Sequence, residues 1–130
     1  MRILVIEDSR FLRLAIERSL ARAGYVVNTA SDGVEGLRAV RETTPDLVLL
    51  DMMLPKLSGV EVLRALKQDV ATKDVPVIVL TGLSERNKEK LLHEGASAYM
   101  EKSDMLLENN AATLIDAIVR VIGKASAAKA

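Results

Sequence analysis

Three short stretches of this chain, residues 3–6, 47–50 and 75–80, are apolar at every position. A strand with one face in water alternates apolar and polar residues, so an uninterrupted run marks a strand covered on both faces, as in a parallel sheet. Helices must then flank the sheet on each side. Two weaker runs, 25–30 and 97–100, bring the expected strands to five. Between the runs the helical period appears as Leu12, Ile16, Leu20 and Ala23, then Val34, Leu37 and Val40, then Val60, Leu63 and Leu66, and last Leu114, Ile115, Ile118, Val121 and Ile122. A fourth helix is expected over 84–94, where only Leu91 and Leu92 are clear anchors, making it the loosest element. Gly24 and Gly95 sit where the first and fourth helices should stop, and Asp32 with Glu35 resembles a capping box opening the second. Strand, helix and strand in short alternation predict right-handed crossovers and a doubly wound α/β sandwich of five strands and five helices.

Composition narrows what such a domain can do. At 130 residues, 49% hydrophobic and 28% charged, the chain suits one folded domain and lacks the signature of disorder. We expect that domain to span 1–124, with 125–130 as a flexible tail. The 18 Lys and Arg balance 18 Asp and Glu, so nothing in the bulk charge favours direct nucleic-acid binding. Phe11, Tyr25 and Tyr99 are the only aromatics, too few for a base-stacking platform. The absence of cysteine excludes disulfides, thiolate metal sites and a Cys nucleophile, and suits a reducing cytoplasm. No apolar run is long enough to span a membrane.

In open parallel sheets ligands bind beyond the carboxyl ends of the strands. The residues closing the buried runs are Glu7 and Asp8, Asp51, Thr81 and, just past the fifth, Lys102. All five are predicted at one edge. Carboxylates gathered there repel one another unless a cation offsets them. Magnesium suits an all-oxygen set and keeps waters that phosphate oxygens can replace. Asp8 and Asp51 would ligate it directly, Glu7 through water, and the Met53 backbone carbonyl would complete the protein's share. A lysine opposite the metal with a hydroxyl between them suits a phosphoryl group, and makes Asp51 a nucleophile for an acyl phosphate. Singly, each residue has an ordinary reading: Asp8 or Ser9 as a helix N-cap, Asp51 and Thr81 as turn formers, Lys102 as a solvated lysine, Tyr99 as a core aromatic. Their convergence favours the site. His93, near a helix end, is expected on the surface, and Gly33 with Gly36 does not make a dinucleotide loop.

These residues carry a resemblance. Glu7 and Asp8 after the first run, Asp51 in Leu49-Leu50-Asp51-Met52-Met53-Leu54-Pro55, Gly59, Thr81-Gly82, and Tyr99-Met100-Glu101-Lys102 are similar to the motifs of the receiver domain of bacterial response regulators, over about residues 2–123. The resemblance implies a flavodoxin-like three-layer sandwich of strand order 2-1-3-4-5, as in chemotaxis-type single-domain regulators. It implies a two-component phosphorelay in which a histidine kinase or histidine phosphotransfer protein phosphorylates Asp51 with magnesium bound. Thr81 and Lys102 would then hold the phosphoryl oxygens. Tyr99 would turn inward as Thr81 moves, changing the face of the fourth helix, fifth strand and fifth helix that meets a downstream protein. The protein would be a phosphoacceptor, not an enzyme, and a monomer or a phosphorylation-dependent dimer. With no effector domain visible after the last helix, partner binding is the expected output.

One departure stands out: Ser103 follows Lys102 where the family usually has proline, often after a cis bond. A cis bond before a non-proline residue costs roughly 2.5–4 kcal/mol, so Lys102–Ser103 is expected to be trans. The stretch 104–110 delays the last helix and is expected to add a turn near the site. Met53 and Leu83 flank the phosphoryl position in the family and neither activates water, which predicts slow self-dephosphorylation. Three rivals remain. An aspartyl-phosphate phosphatase needs a second aspartate where Met53 stands; a flavin module needs a phosphate loop after the first strand; a phosphorylation-independent module of the same fold would not need the full acid, hydroxyl and lysine set.

Overall fold

The structure, a computed structural model, describes residues 1–82, 88–102 and 110–129. Strands β1 (Arg2–Ile6), β2 (Val26–Ala30), β3 (Leu47–Asp51), β4 (Val77–Thr81) and β5 (Ala98–Glu101) alternate with helices α1 (Arg10–Arg22), α2 (Gly33–Thr43), α3 (Gly59–Gln68), α4 (Lys88–His93) and α5 (Asn110–Lys129). All neighbouring strands pair in parallel, in the order β2-β1-β3-β4-β5. This is the expected flavodoxin-like sandwich.

The uninterrupted apolar runs are used on both faces. Ile3 and Val5 of β1, Leu47 and Leu49 of β3, and Ile78 and Leu80 of β4 pack with Leu12, Ile16 and Leu20 of α1 and Leu114, Ile118 and Val121 of α5. The alternate residues Leu4, Ile6, Val48, Leu50, Val77 and Val79 point the other way, against Val40 of α2 and Val62, Leu63 and Leu66 of α3. Every strand residue just named is fully buried. Truncating one of the leucines to alanine costs about 2–5 kcal/mol.

Helix boundaries follow local chemistry. Ser9 caps α1 by accepting from the Leu12 N–H at 3.4 Å, and Asp32 caps α2 by accepting from the Glu35 N–H at 2.8 Å. Glu35 reaches back to Ser31, with Oε2 3.1 Å from its hydroxyl, so the box closes one residue earlier than the motif suggests. Gly24 and Gly95 follow α1 and α4 at φ 95° and 109°, a region that disfavours side chains.

The structure corrects several expectations. In α2 the buried face is Gly33, Gly36 and Val40, while Val34 is 52% exposed and Leu37 half-buried. The helix lies so close to β1 that a Cβ on Gly36 would stand 2.6 Å from Ile6 Cδ1. Ala23 is exposed as the C-cap of α1. Strand β4 begins at Val77, and Val75 belongs to the preceding turn, its N–H bonded to the Thr72 carbonyl. Helix α4 is described over Lys88–His93 and ends one residue before the expected Glu94, its anchor Leu92 is 39% exposed, and residues 84–87 of the expected helix lie outside the described residues. Helix α5 runs to Lys129, and its last residues are alanine-rich, which suits a helix. No peptide bond among the described residues is cis. The Lys102–Ser103 bond, the added turn over 104–110 up to the start of α5, and Leu83 lie outside the described residues.

Candidate functional site

Strand register builds the site. Ile6 stands beside Leu50, Asp51 beside Leu80, and Thr81 beside Glu101, so Glu7, Asp51, Thr81 and Lys102 emerge at neighbouring positions on one edge. The Glu7 N–H still bonds the Ala30 carbonyl at 3.0 Å, and the Met52 N–H bonds the Leu80 carbonyl at 3.1 Å, so both acids sit on backbone held by the sheet. The β3–α3 loop turns away at once. Its path includes a γ-turn in which Lys56, at φ 69°, is closed by a 2.8 Å bond from the Leu57 N–H to the Pro55 carbonyl. Gly59 then opens α3 so near the end of β3 that a Cβ there would lie 2.3 Å from the Asp51 carbonyl oxygen.

Glu7, Asp51 and Thr81 are buried, and Asp8 is exposed. Lys102 bridges the two buried acids, its Nζ 2.8 Å from Asp51 Oδ1 and 3.0 Å from Glu7 Oε1. The Met53 N–H donates to Asp51 Oδ1 at 3.1 Å, and the Ser9 N–H donates to Glu7 Oε2 at 3.1 Å. Among the described residues, buried Asp51 Oδ2 has no hydrogen-bond partner, and Glu7 Oε1 has the charge contact with Lys102 but no directed hydrogen bond. Glu7, Asp8 and Asp51 each offer an oxygen, all within 4.8 Å of one another. Burial first, then the contact with Asp51, pushes the Glu7 carboxyl up to about 7, against the Ser9 N–H and Lys102, which favour its anion. Burial pulls the Lys102 ammonium down, but its pairing with Asp51 and Glu7 outweighs this and leaves it above the ordinary lysine value.

All five predicted site residues therefore gather at one edge, and Ser9 takes the N-cap role that the sequence left open between Asp8 and Ser9. Met53 is 66% exposed on the loop beside Asp51. Tyr99 stands apart, half-buried at the rim of the α2 and α3 core, lining a groove of about 570 Å³ with Leu92, Ala117, Arg120 and Val121. His93 is exposed, as expected. Sequence reasoning missed Arg13, whose guanidinium holds the loop bearing Glu7 and Asp8.

An Asp51 oxygen without a partner among the described residues, an all-oxygen donor set and one ammonium for three acids fit a hard divalent cation such as magnesium. A doubly wound domain with an acidic pocket at the carboxyl edge of its sheet is the architecture that the receiver-domain resemblance implies. The family follows directly: residues 3–112 match the response regulator receiver domain, and the chain belongs to that family. It is 42% identical over 111 residues to the response regulator MprA of Mycobacterium leprae, covering 83% of this chain and 47% of that protein. It is 38% identical over 102 residues to the DNA-binding dual master transcriptional regulator RpaA of Synechocystis, covering 78% of this chain and 42% of that one. The chain thus spans less than half the length of these curated relatives. Among solved structures, a receiver domain protein from Clostridium thermocellum superposes with a TM-score of 0.82 at 36% identity, over 95% of this chain and 94% of that one. The chemotaxis response regulator CheY4 of Vibrio cholerae does so at 0.82 and 29%, over 92% and 97%. Receiver domains are signalling modules of two-component systems. Among the described residues, no helix is long and apolar enough to cross a membrane.

Proposed function

We propose that this chain is a phosphorylation-driven switch that accepts a phosphoryl group on Asp51 from the phosphohistidine of a histidine kinase or histidine phosphotransfer protein. One observation carries the reading: Oδ1 of buried Asp51 is held by the Met53 N–H and Lys102, while Oδ2 has no hydrogen-bond partner among the described residues. Oδ2 is the nucleophile. Its bond to phosphorus forms as the phosphorus–imidazole bond breaks, and the imidazole nitrogen leaves with the electron pair and takes a proton. Glu7, Asp8 and Asp51, with the Met53 carbonyl, would hold magnesium, which when bound offsets the carboxylates and the phosphoryl oxygens. The Lys102 ammonium, released from Glu7, and the Thr81 hydroxyl hold the phosphoryl oxygens during transfer.

Thr81 and Tyr99 then carry the signal. Thr81 closes β4 and Tyr99 lies in the next strand opposite Val79, so a shift of Thr81 toward the phosphoryl group reaches the surface of α4, β5 and α5, where a downstream protein would bind. The domain is placed at 1–124 and in the cytoplasm, as a monomer or a phosphorylation-dependent dimer with no direct nucleic-acid contact. It acts as a phosphoacceptor, not as a phosphatase, since exposed Met53 supplies neither acid nor base where such an enzyme needs one.

Incubation with magnesium and a small acyl-phosphate donor, followed by peptide mass mapping, tests the assignment. Label is expected on Asp51 and absent from Asp51→Asn; label elsewhere, or none in the wild type, rejects it. Because an apolar Met53 beside the phosphoryl group cannot activate water, the labelled protein is expected to decay slowly once donor is removed. Rapid loss of the label without any phosphatase contradicts that.

A further inference from the structure

We infer that Arg13 is a positioning residue for the cation site, acting through the backbone of the two acids that precede α1; this rests on the magnesium-binding role proposed above. Its Nη1 donates to the Glu7 carbonyl at 2.9 Å and approaches the Asp8 carbonyl at 3.4 Å, pinning two consecutive peptide groups. The two acids depend on this anchor unequally. The Glu7 side chain is independently held by the Ser9 N–H and by Lys102. Asp8 is exposed, and among the described residues its carboxylate has no hydrogen bond or ion pair, so the direction of its Cα–Cβ bond is set by the backbone that Arg13 grips.

The placement of Arg13 runs against the local rule for helices. Arg10 opens the first turn of α1 and Arg13 closes it, with no acidic residue between them, although a helix N-terminus favours anions and disfavours cations. The cap offers little compensation, since the Ser9 hydroxyl reaches the Leu12 N–H only at 3.4 Å. Arg10 is exposed, whereas Arg13 is half-buried and folds back along the helix toward the loop, the direction side chains take from a helical Cα. A local conflict kept at the edge of a functional site points to a function that outweighs it. Here that function is to hold the Asp8 carboxylate toward Asp51 before the cation arrives, as residues behind metal ligands do elsewhere.

The test is direct cation binding by the unphosphorylated full chain, by calorimetry with Mg2+ or electron paramagnetic resonance with Mn2+. Arg13→Ala is expected to weaken binding about tenfold. Arg13→Lys, which keeps one donor, should recover part of the loss, and Arg10→Ala, which removes the same charge from the same turn, should leave binding unchanged. Phosphoryl uptake by Arg13→Ala should be slow at low Mg2+ and return to the wild-type rate at saturating Mg2+, a split that general damage to the fold does not produce. Circular dichroism and the lysine variant guard against simple unfolding. Wild-type affinity in Arg13→Ala, or an equal loss in Arg10→Ala, overturns the inference and leaves the proposed function standing. Failure of the wild type to bind either cation overturns both.

Discussion

The two ends of the sheet each hold a half-buried lysine, and the partners of those lysines separate a site from a scaffold. At the carboxyl end Lys102 faces Asp51 and Glu7, with Asp8 close by, so one cation stands among three acids. Toward the amino end Lys67, in the last turn of α3, donates to the carbonyls of Lys73 and Val75 at 3.0 and 2.9 Å, tying the helix to the turn before β4. Burial holds the Lys67 ammonium below its ordinary value, against the attraction of Asp74, whereas Lys102 is held above it by its carboxylates. The carbonyls around Lys67 are neutral, so they gather no excess of negative charge there. The cluster around Lys102 leaves an excess of negative charge, which is what invites a cation and a phosphoryl group.

The largest expected effect breaks this comparison or confirms it. Lys102→Met should slow phosphoryl uptake by at least about 10²-fold, the usual loss when a preorganised electrostatic partner of the reacting group is removed. Lys67→Met should leave uptake within about twofold and lower stability by about 1–2 kcal/mol, through two carbonyls that lose their donor. Mass-resolved time courses and urea unfolding measure both. Equal loss of uptake in the two variants erases the distinction.

Next in size is the response of stability to pH. Glu7 keeps its proton to about 7 in the folded, metal-free protein, against an ordinary value of 4.5. A raised folded pKa means the folded state binds the proton more tightly, so the stabilisation is complete below about 4.5 and is lost as pH rises through 7. Without divalent cation, stability should therefore fall from pH 5 to pH 8, by at most about 3 kcal/mol, shared across the coupled acids. Glu7→Gln should flatten that slope. Magnesium should flatten it too, because it selects the ionised acids and displaces the proton. Urea midpoints in chelator and in magnesium check each case, and a metal-free protein that grows more stable across this range contradicts the sign.

What could be read in the chain beforehand follows from which physics leaves a mark in residue types. Burial on both faces is written into the runs around Leu4, Leu49 and Val79, the charged or hydroxyl residues that follow them fall at the functional edge, and Lys102 stands two residues past the fifth run, so the acids, Thr81 and Lys102 were legible together. Contacts made by the absence of a side chain were not. The face of α2 was assigned to Val34 because periodicity counts apolar side chains, whereas Gly36 packs on Ile6 with no side chain at all. The left-handed turn at Lys56 carries no glycine to announce it. Arg13 left a faint signal, two arginines in an N-terminal turn without an acid, but its carbonyl partners become visible only in three dimensions.

The smallest effect sharpens the comparison at the scaffold end. Arg64 of α3 grips Glu94, just past α4, through Nε at 2.9 Å and Nη2 at 2.8 Å. Pairing holds the Glu94 carboxyl below and the Arg64 guanidinium above their ordinary values. Both groups are solvent-facing, and an exposed pair of this kind adds little to global stability. Its consequence is local. Among the described residues of α4 the anchor Leu92 is 39% exposed, so the fork from α3 is a disproportionate share of what fixes its carboxyl end. Arg64→Ala should leave the urea midpoint within measurement error while amide exchange in Lys88–His93 quickens several-fold, and raising the salt concentration on the wild type should move exchange in the same direction. Since α4 forms part of the face proposed to carry the output, the same variant asks whether a balanced charge pair remote from the acids tunes that face without touching the chemistry: phosphoryl uptake on Asp51 should be unchanged. A fall in uptake would mean that the two ends of the sheet are coupled in a way the separate partners of Lys67 and Lys102 do not suggest.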